Sequence, residues 1–253
     1  MLTIHNISYS VDKRKFLSKK QINIIDDFSL TIKRGECVSL VGPSGSGKTT
    51  IGRIALGTKK PSRGQVLFEG KDLYKIKMTK EMRKEIQYVV QNSAASLNPF
   101  QTIRSILEEP LNNFFSLSKE EKNKRIQEIM MILDLPLDIL DKKTHQLSGG
   151  QQQRINIARA AIVRPKLIIL DEPISNLDRI NQEQVISYLL ELKDKYRLSY
   201  LFITHDVFAV KKLAEKVYVL DKGQCCECIE CSRLHECTHA ITNAIFEPIV
   251  VNE

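Results

Sequence analysis

Eight residues constrain this chain more than any others: Gly42-Pro-Ser-Gly-Ser-Gly-Lys-Thr49, placed directly after the apolar run Cys37-Val-Ser-Leu-Val41. They match G-x-x-x-x-G-K-[ST] in the context that pattern needs, a buried strand before it and a stretch able to form a helix, Thr50 to Leu56, behind it. The spacing has a chemical reason. Glycines let successive backbone N–H groups turn inward around phosphate oxygens, and the positive end of the following helix faces the same anion. Lys48 reaches the outer phosphates, and the Thr49 hydroxyl can ligate Mg²⁺. The candidate phosphate contacts are Gly42, Pro43, Ser44, Gly45, Ser46, Gly47, Lys48, Thr49 and Thr50.

Such a loop sits on a parallel sheet. Leu167-Ile-Ile-Leu170, Leu201-Phe-Ile-Thr204 and Val217-Tyr-Val-Leu220 are apolar runs without polar alternation, as strands buried on both faces are, and helix-like stretches separate them. The expected fold is α/β, a P-loop NTPase (RecA-like) with a parallel-sheet core. Leu2 to Val11 and Ile22 to Ile32 alternate apolar with polar, which predicts an N-terminal antiparallel β subdomain. Between them Lys13, Arg14, Lys15, Lys19 and Lys20 face only Asp12, and this stretch reads as a solvated loop. Residues 92 to 160 or thereabouts read as an inserted α-helical subdomain. Within it Ser118 and Glu121 predict a capping box ahead of Ile126, Ile129, Met130 and Leu133, and Pro136 stops the helix. The domain reading is 1–222 for the phosphate-binding unit and 223–253 for a cysteine-rich tail.

Composition removes other classes. With 42% hydrophobic and 27% charged residues over 253 positions, a disordered chain, a collagen-like repeat and an integral membrane protein are excluded. No apolar run approaches the roughly 20 residues that span a bilayer, and the start lacks the features of a signal peptide, so the expected address is cytoplasmic. The formal net charge of +8 suits nucleic acid, anionic lipid or a phosphorylated ligand and does not choose among them.

A phosphate cradle needs acids on a neighbouring strand. Asp171 ends the run at 167–170, where it can hold Mg²⁺, and Glu172 follows, able to polarise an attacking water. His205, after the run at 201–204, is a candidate to contact the γ-phosphate. Lys48, Asp171 with Glu172, and His205 would then line the carboxyl edge of one sheet.

Leu147-Ser-Gly-Gly-Gln151 supplies a second helix start with exposed N–H groups, Ser148 being its N-cap. With Gln91 after Tyr88-Val-Val90, Ser175-Asn-Leu-Asp178 after the acidic pair, and His205, the order of motifs over residues 1 to about 222 resembles the ATP-binding subunits of ABC transporters. The resemblance implies ATP and Mg²⁺ as ligands, with Thr49, Asp171 and Gln91 around the metal. It implies catalytic roles for Glu172, His205, Lys48 and Gln91. It implies a dimer in which Ser148, Gly149, Gly150 and Gln151 serve the nucleotide of the partner subunit and Asp178 contacts that subunit. Val90-Gln-Asn-Ser-Ala-Ala-Ser-Leu-Asn-Pro99 is similar to the peptide and nickel importer branch, and Asp171 to Asp178 and Leu201 to Asp206 resemble its nickel members.

That branch implies a subunit peripheral to the cytoplasmic face of the membrane. Its partners would be a second, different ATPase chain, two permeases and an extracytoplasmic substrate-binding protein, with nickel, another metal or chelate, or short peptides as cargo and no nucleic acid. The alternatives weighed are a soluble ABC ATPase acting on ribosomes or nucleic acid, an exporter, and an importer ATPase with a metal-sensing tail. Two features depart from the family. Its adenine-stacking aromatic falls at Val11 here, so Tyr9, or less directly Phe16, stands in. The tail gathers Cys225, Cys226, Cys228, Cys231 and Cys237 with His235 and His239, a candidate zinc or iron–sulfur site whose spacing matches no standard motif, set against a reduced, mobile tail.

Overall fold

The computed structural model describes residues 1–15, 18–91, 96–175 and 177–250; of residues 13–15, 18–20 and 247–250 it describes the backbone. In chain order the elements are β1 (Leu2–Lys15), β2 (Ser18–Ile32), β3 (Cys37–Val41), α1 (Lys48–Ala55), β4 (Arg63–Phe68), β5 (Lys71–Asp72), α2 (Lys80–Glu85), β6 (Ile86–Val89), α3 (Ile103–Phe114), α4 (Lys119–Ile132), α5 (Gly149–Ala161), β7 (Leu167–Asp171), α6 (Arg179–Tyr196), β8 (Ser199–Ile203), α7 (Val207–Leu213), β9 (Lys216–Asp221), β10 (Gln224–Glu230) and α8 (Ala240–Val250). They form two compact units, Met1–Met78 with Tyr200–Glu253, and Thr79–Ser199.

The first unit carries an antiparallel sheet in the order β2-β1-β4-β5. Leu2, Ile4 and Ile7 of β1 and Ile25, Phe28, Leu30 and Ile32 of β2 are buried, the inward positions of the alternation seen in the sequence. One expectation is corrected here. The basic stretch read as a loop is strand: Lys13 pairs with Lys20, Arg14 with Lys19 and Lys15 with Ser18. Backbone pairing needs no apolar alternation, so a hydrophobic pattern cannot detect a strand that continues through charged residues. The pairing of β1 with β4 ends at Ser8 opposite Arg63, so beyond Ser8 the β1–β2 pairing continues as a two-stranded ribbon.

Beside this lies the parallel part of the unit, where β3 pairs with β8 on one side and β9 on the other. All five residues of β3 and of β8 are buried, Ser39 and Ser199 among otherwise largely apolar side chains. β10 returns antiparallel to β9, so the stretch read as a tail begins as a sheet strand. The boundary drawn at 222/223 falls in the turn of this hairpin. Gly223 in that turn donates its N–H to the Ser46 carbonyl at 3.1 Å and accepts from the Asp26 N–H at 2.9 Å. With φ +86 and an added Cβ only 2.3 Å from the Ile24 carbonyl oxygen, the position admits glycine alone.

In the second unit β6 runs parallel to β7, and helices α2 to α6 complete it. The capping box at Ser118 is present: its hydroxyl accepts from the Glu121 N–H at 3.1 Å, and the Glu121 carboxylate accepts from the Ser118 N–H at 2.7 Å. Such a cap stabilises a helix by about 1 kcal/mol. Ile126, Ile129 and Met130 of α4 are buried as the spacing predicts, and Asp134, at φ 47, turns the chain out of the helix before Pro136. Among the described residues no helix is long and apolar enough to cross a membrane.

Candidate functional site

The phosphate loop is shaped by what glycine alone permits. Gly42 has φ +148, and a Cβ there would lie 2.1 Å from the Leu220 carbonyl oxygen; at Gly47, with φ +105, it would lie 2.4 Å from the Ile25 side chain. The loop is thus pressed between β9 and β2, with no room for side chains on that side. Ser44 and Gly45 are exposed at the crest and Pro43 precedes them, while Thr49 and Thr50 are half-buried on the first turn of α1. Lys48 is 8% exposed, and its ammonium donates to the carbonyls of Gly42 at 2.8 Å and Pro43 at 2.9 Å, crossing beneath the loop. The Ser46 hydroxyl is buried with no hydrogen-bond partner among the described residues. A buried orphan hydroxyl costs free energy unless something meets it. Together with a loop in which Gly42 and Gly47 leave no room for a Cβ, it fits a polyphosphate oxygen.

His205 follows β8, whose Ile203 pairs with Leu40 of β3, and Thr204 donates its N–H to the Leu40 carbonyl at 3.2 Å. This brings His205, exposed, to the edge of the same unit on which the phosphate loop stands. Asp206 caps α7 by accepting from the Ala209 N–H at 2.9 Å. Tyr9 is half-buried with the Lys59 ammonium 4.5 Å from its ring centroid, and Val11 is half-buried two residues on. Phe16 lies outside the described residues, as do Asn92 to Ala95 and Asn176 of the motifs quoted above.

In the second unit Asp171 closes β7 at 3% exposure. The Tyr88 hydroxyl donates to Asp171 Oδ2 at 2.6 Å, a charge-assisted bond that offsets part of the cost of burying a carboxylate. Sequence reasoning missed Tyr88. Only the pairing of Tyr88 opposite Ile169, two residues before Asp171, reveals it. Glu172 holds φ 50, the left-handed region, which costs a residue other than glycine free energy and re-aims its side chain away from the strand course. Ser175 closes the turn, its N–H and hydroxyl both donating to the Glu172 carbonyl at 3.4 Å and 3.2 Å. Gln91 is exposed two residues past Val89, the partner of Leu170, and so emerges at the same strand ends as Asp171.

The Ser148 turn is a full capping box, with the Ser148 hydroxyl accepting from the Gln151 N–H at 3.3 Å and Gln151 Oε1 from the Ser148 N–H at 3.1 Å. Gln151, singled out as a nucleotide contact, spends its side chain on this cap. Gly149 would meet nothing within 4 Å of an added Cβ, and Gly150 faces Asn181 Oδ1 at 3.6 Å. Asp178, exposed, caps α6 by accepting from the Asn181 N–H at 3.0 Å and its side-chain amide at 2.6 Å. These two bonds, backbone first, hold the Asp178 carboxyl below its usual range. Asn181, also missed in the sequence, completes the cap at the start of α6.

Thr49, Asp171 and Gln91 offer hydroxyl, carboxylate and amide oxygen, the hard donors that Mg²⁺ takes. The tail cysteines are otherwise placed. Cys225 pairs with Leu220 and Cys228 with Tyr218 along β10, Cys226 occupies the bulge between them, and Cys231 and Cys237 flank a short 3-10 turn. All are free thiols, and among the described residues no three His, Cys, Asp or Glu side chains gather to hold a metal.

Comparison with known proteins agrees with this geometry. The family described as ABC transporter matches residues 25–175, more than half the chain. The nickel import ATP-binding proteins NikE of Shigella dysenteriae serotype 1 (strain Sd197) and of Escherichia coli (strain K12) are each 41% identical over 230 residues, 90% of this chain and 86% of theirs. Among solved structures, the dimeric ATP-binding cassette MJ0796, in a post-hydrolysis state bound to ADP and Pi, superimposes with TM-score 0.82 at 29% identity, over 91% of this chain and 99% of that one. The protein cbiO1 from Clostridium perfringens, part of the ABC transporter complex cbiONQ, gives TM-score 0.79 at 25% identity, over 93% and 90%. The glycine-walled loop at Lys48, the acids ending β7 and the capped Ser148 turn are thus those of a chain that belongs to the ABC transporter family as an ATP-binding subunit.

Proposed function

We propose that this chain hydrolyses ATP to energise import of nickel or a related metal ion or chelate, with short peptides the second cargo class its branch handles. The observation that carries the hydrolytic part is the phosphate loop, sealed by Gly42 and Gly47 and spanned by Lys48. The cargo rests on 41% identity to nickel import ATP-binding proteins over 90% of the chain.

In this reading Lys48 exchanges the Gly42 and Pro43 carbonyls for β- and γ-phosphate oxygens, and the loop amides hold the rest of the polyphosphate. Glu172 orients the attacking water and accepts its proton, and His205 steadies the γ-phosphate. Tyr9 stacks on the adenine. Asp171, steadied by Tyr88, and Thr49 and Gln91 hold Mg²⁺, which neutralises charge on the phosphates when bound. The Ser148, Gly149 and Gly150 turn closes over the nucleotide of a second ATPase subunit and excludes water, and Asp178 meets that subunit. The chain works on the cytoplasmic face of the membrane beneath two permeases, supplied by an extracytoplasmic binding protein.

Removing the general base costs about 10² to 10⁴-fold in turnover. Glu172→Gln, assayed with the companion subunits, is expected to bind ATP as wild type does and lose turnover by that factor. Undiminished hydrolysis would reject the role of Glu172. Nickel accumulation by cells carrying the variant is expected to fall in parallel, and retained nickel uptake with lost ATPase would reject the cargo.

A further inference from the structure

A side-chain hydrogen bond joins β6 to β7 where their register ends. That register runs from Ile86 opposite Leu167 to Val89 opposite Leu170, and it sets Tyr88 opposite Ile169. Side chains alternate along a strand, so Ile169 and Asp171 share one face of the sheet, about 6.6 Å apart along β7. The ring of Tyr88 crosses that interval diagonally, and its hydroxyl donates to Asp171 Oδ2 at 2.6 Å. This lies in the short range of a hydroxyl bonded to a charged carboxylate. Asp171 is 3% exposed, whereas Tyr88 is half-buried. A buried carboxylate needs donors, and the kind of donor matters. An ammonium or guanidinium would cancel the charge, while a hydroxyl holds the oxygen in place and leaves the negative charge for a cation. Rotation of the Asp171 carboxylate about its Cβ–Cγ bond would break the contact, so the hydroxyl fixes the carboxylate plane.

We propose that Tyr88 is a positioning residue for metal binding: its hydroxyl orders the Asp171 carboxylate in advance, so that the acid need not be immobilised when Mg²⁺ arrives with the nucleotide. The inference rests on the assignment of Asp171 to Mg²⁺ and deepens it. Two observations favour this over a role in the fold alone. The ring could pack between the strands without its hydroxyl, yet the hydroxyl is spent on the one acid that closes β7. The strand that carries Tyr88 leads to Gln91, two residues past Val89, so one bond braces the strand ends that bear two of the proposed metal donors. Donors placed behind a ligating carboxylate orient it, and their loss typically weakens metal binding by about 10 to 100-fold.

The test uses full-length protein and the β,γ-imido analogue of ATP, which is not hydrolysed. Two quantities are read, neither of them turnover: affinity for the analogue in the presence of a chelator, and affinity of the protein–analogue complex for Mn²⁺, followed by loss of the free-ion electron paramagnetic resonance signal. Tyr88→Phe keeps the ring and is expected to bind the analogue in chelator as wild type does, and to bind Mn²⁺ about 10 to 100-fold more weakly. Tyr196→Phe, which removes a hydroxyl bonded to the Glu128 carboxylate in the same unit, is expected to leave both affinities at wild-type values. Wild-type Mn²⁺ affinity in Tyr88→Phe overturns the proposal, as does an equal loss of Mn²⁺ affinity in Tyr196→Phe. Weakening of the analogue in chelator by the same factor as Mn²⁺ also overturns it, because the hydroxyl would then serve the fold and not the metal. Asp171→Asn tells the two levels apart. It is expected to weaken Mn²⁺ binding at least as much as Tyr88→Phe does. If it does so while Tyr88→Phe binds Mn²⁺ normally, the present inference alone fails, whereas normal Mn²⁺ binding in Asp171→Asn removes the magnesium assignment beneath it.

Discussion

Gly42 shows how little freedom single residues have at this site. A methyl group there would lie 2.1 Å from the Leu220 carbonyl oxygen, and φ +148 is a conformation that L side chains rarely adopt. Gly42→Ala is expected to destabilise the chain by about 1–3 kcal/mol and to abolish ATP binding, checked by urea denaturation and by nucleotide titration. Wild-type values in both would show that the loop tolerates what its geometry excludes. Much of the site was legible at this scale: Lys48, Asp171, Glu172, Ser148 and His205 were each found from a motif or from the end of an apolar run. Tyr88 and Asn181 were not. Asp171, the partner of Tyr88, is remote in sequence and only strand pairing brings the two together, while Asn181 serves a cap on Asp178 that no motif announces.

At the scale of elements, strands buried on both faces were readable because they lack polar alternation, and helix starts because Ser118 and Ser148 carry complete capping boxes. Other strand segments escaped notice, β4 and β5 among them. The outer halves of β1 and β2 carry lysines where alternation would have been sought, and β10 reads Gln-Cys-Cys-Glu-Cys-Ile-Glu, with a bulge that breaks its period. This hairpin and the turn after it also sort their thiols. Burial, helped by the neighbouring Cys228, pushes the Cys225 thiol up to about 11, and burial with Glu215 nearby does the same for Cys231. Both are therefore protonated at neutral pH, and only thiolate alkylates. Iodoacetamide followed by peptide mass mapping of the native protein is expected to label Cys225 and Cys231 more slowly than the exposed Cys228, with the difference lost in denaturant. Equal native rates would mean that neither β10 nor the turn after it shields them.

For the whole molecule, the fold class was legible because a phosphate loop between a buried strand and a helix admits few architectures, whereas assembly was reached through family resemblance. Assembly also separates stability from function. Gly149 has nothing within 4 Å of an added Cβ and begins a helix, so Gly149→Asp places a negative charge where the helix dipole favours it. The isolated chain is expected to gain about 0.3–1 kcal/mol in thermal unfolding, and the assembled pair to lose ATP turnover as the carboxylate repels the phosphates of the opposing subunit. Normal turnover in the pair would place the Ser148 turn away from nucleotide.

The Gly223 turn ties the two ends of the chain to one another. It bonds to Asp26 on one strand and to Ser46 in the phosphate loop, so the hairpin from which the cysteine-bearing segment continues is fastened to that loop. Whatever loosens that last hairpin, whether truncation, oxidation or proteolysis, would be felt first as weakened grip on nucleotide.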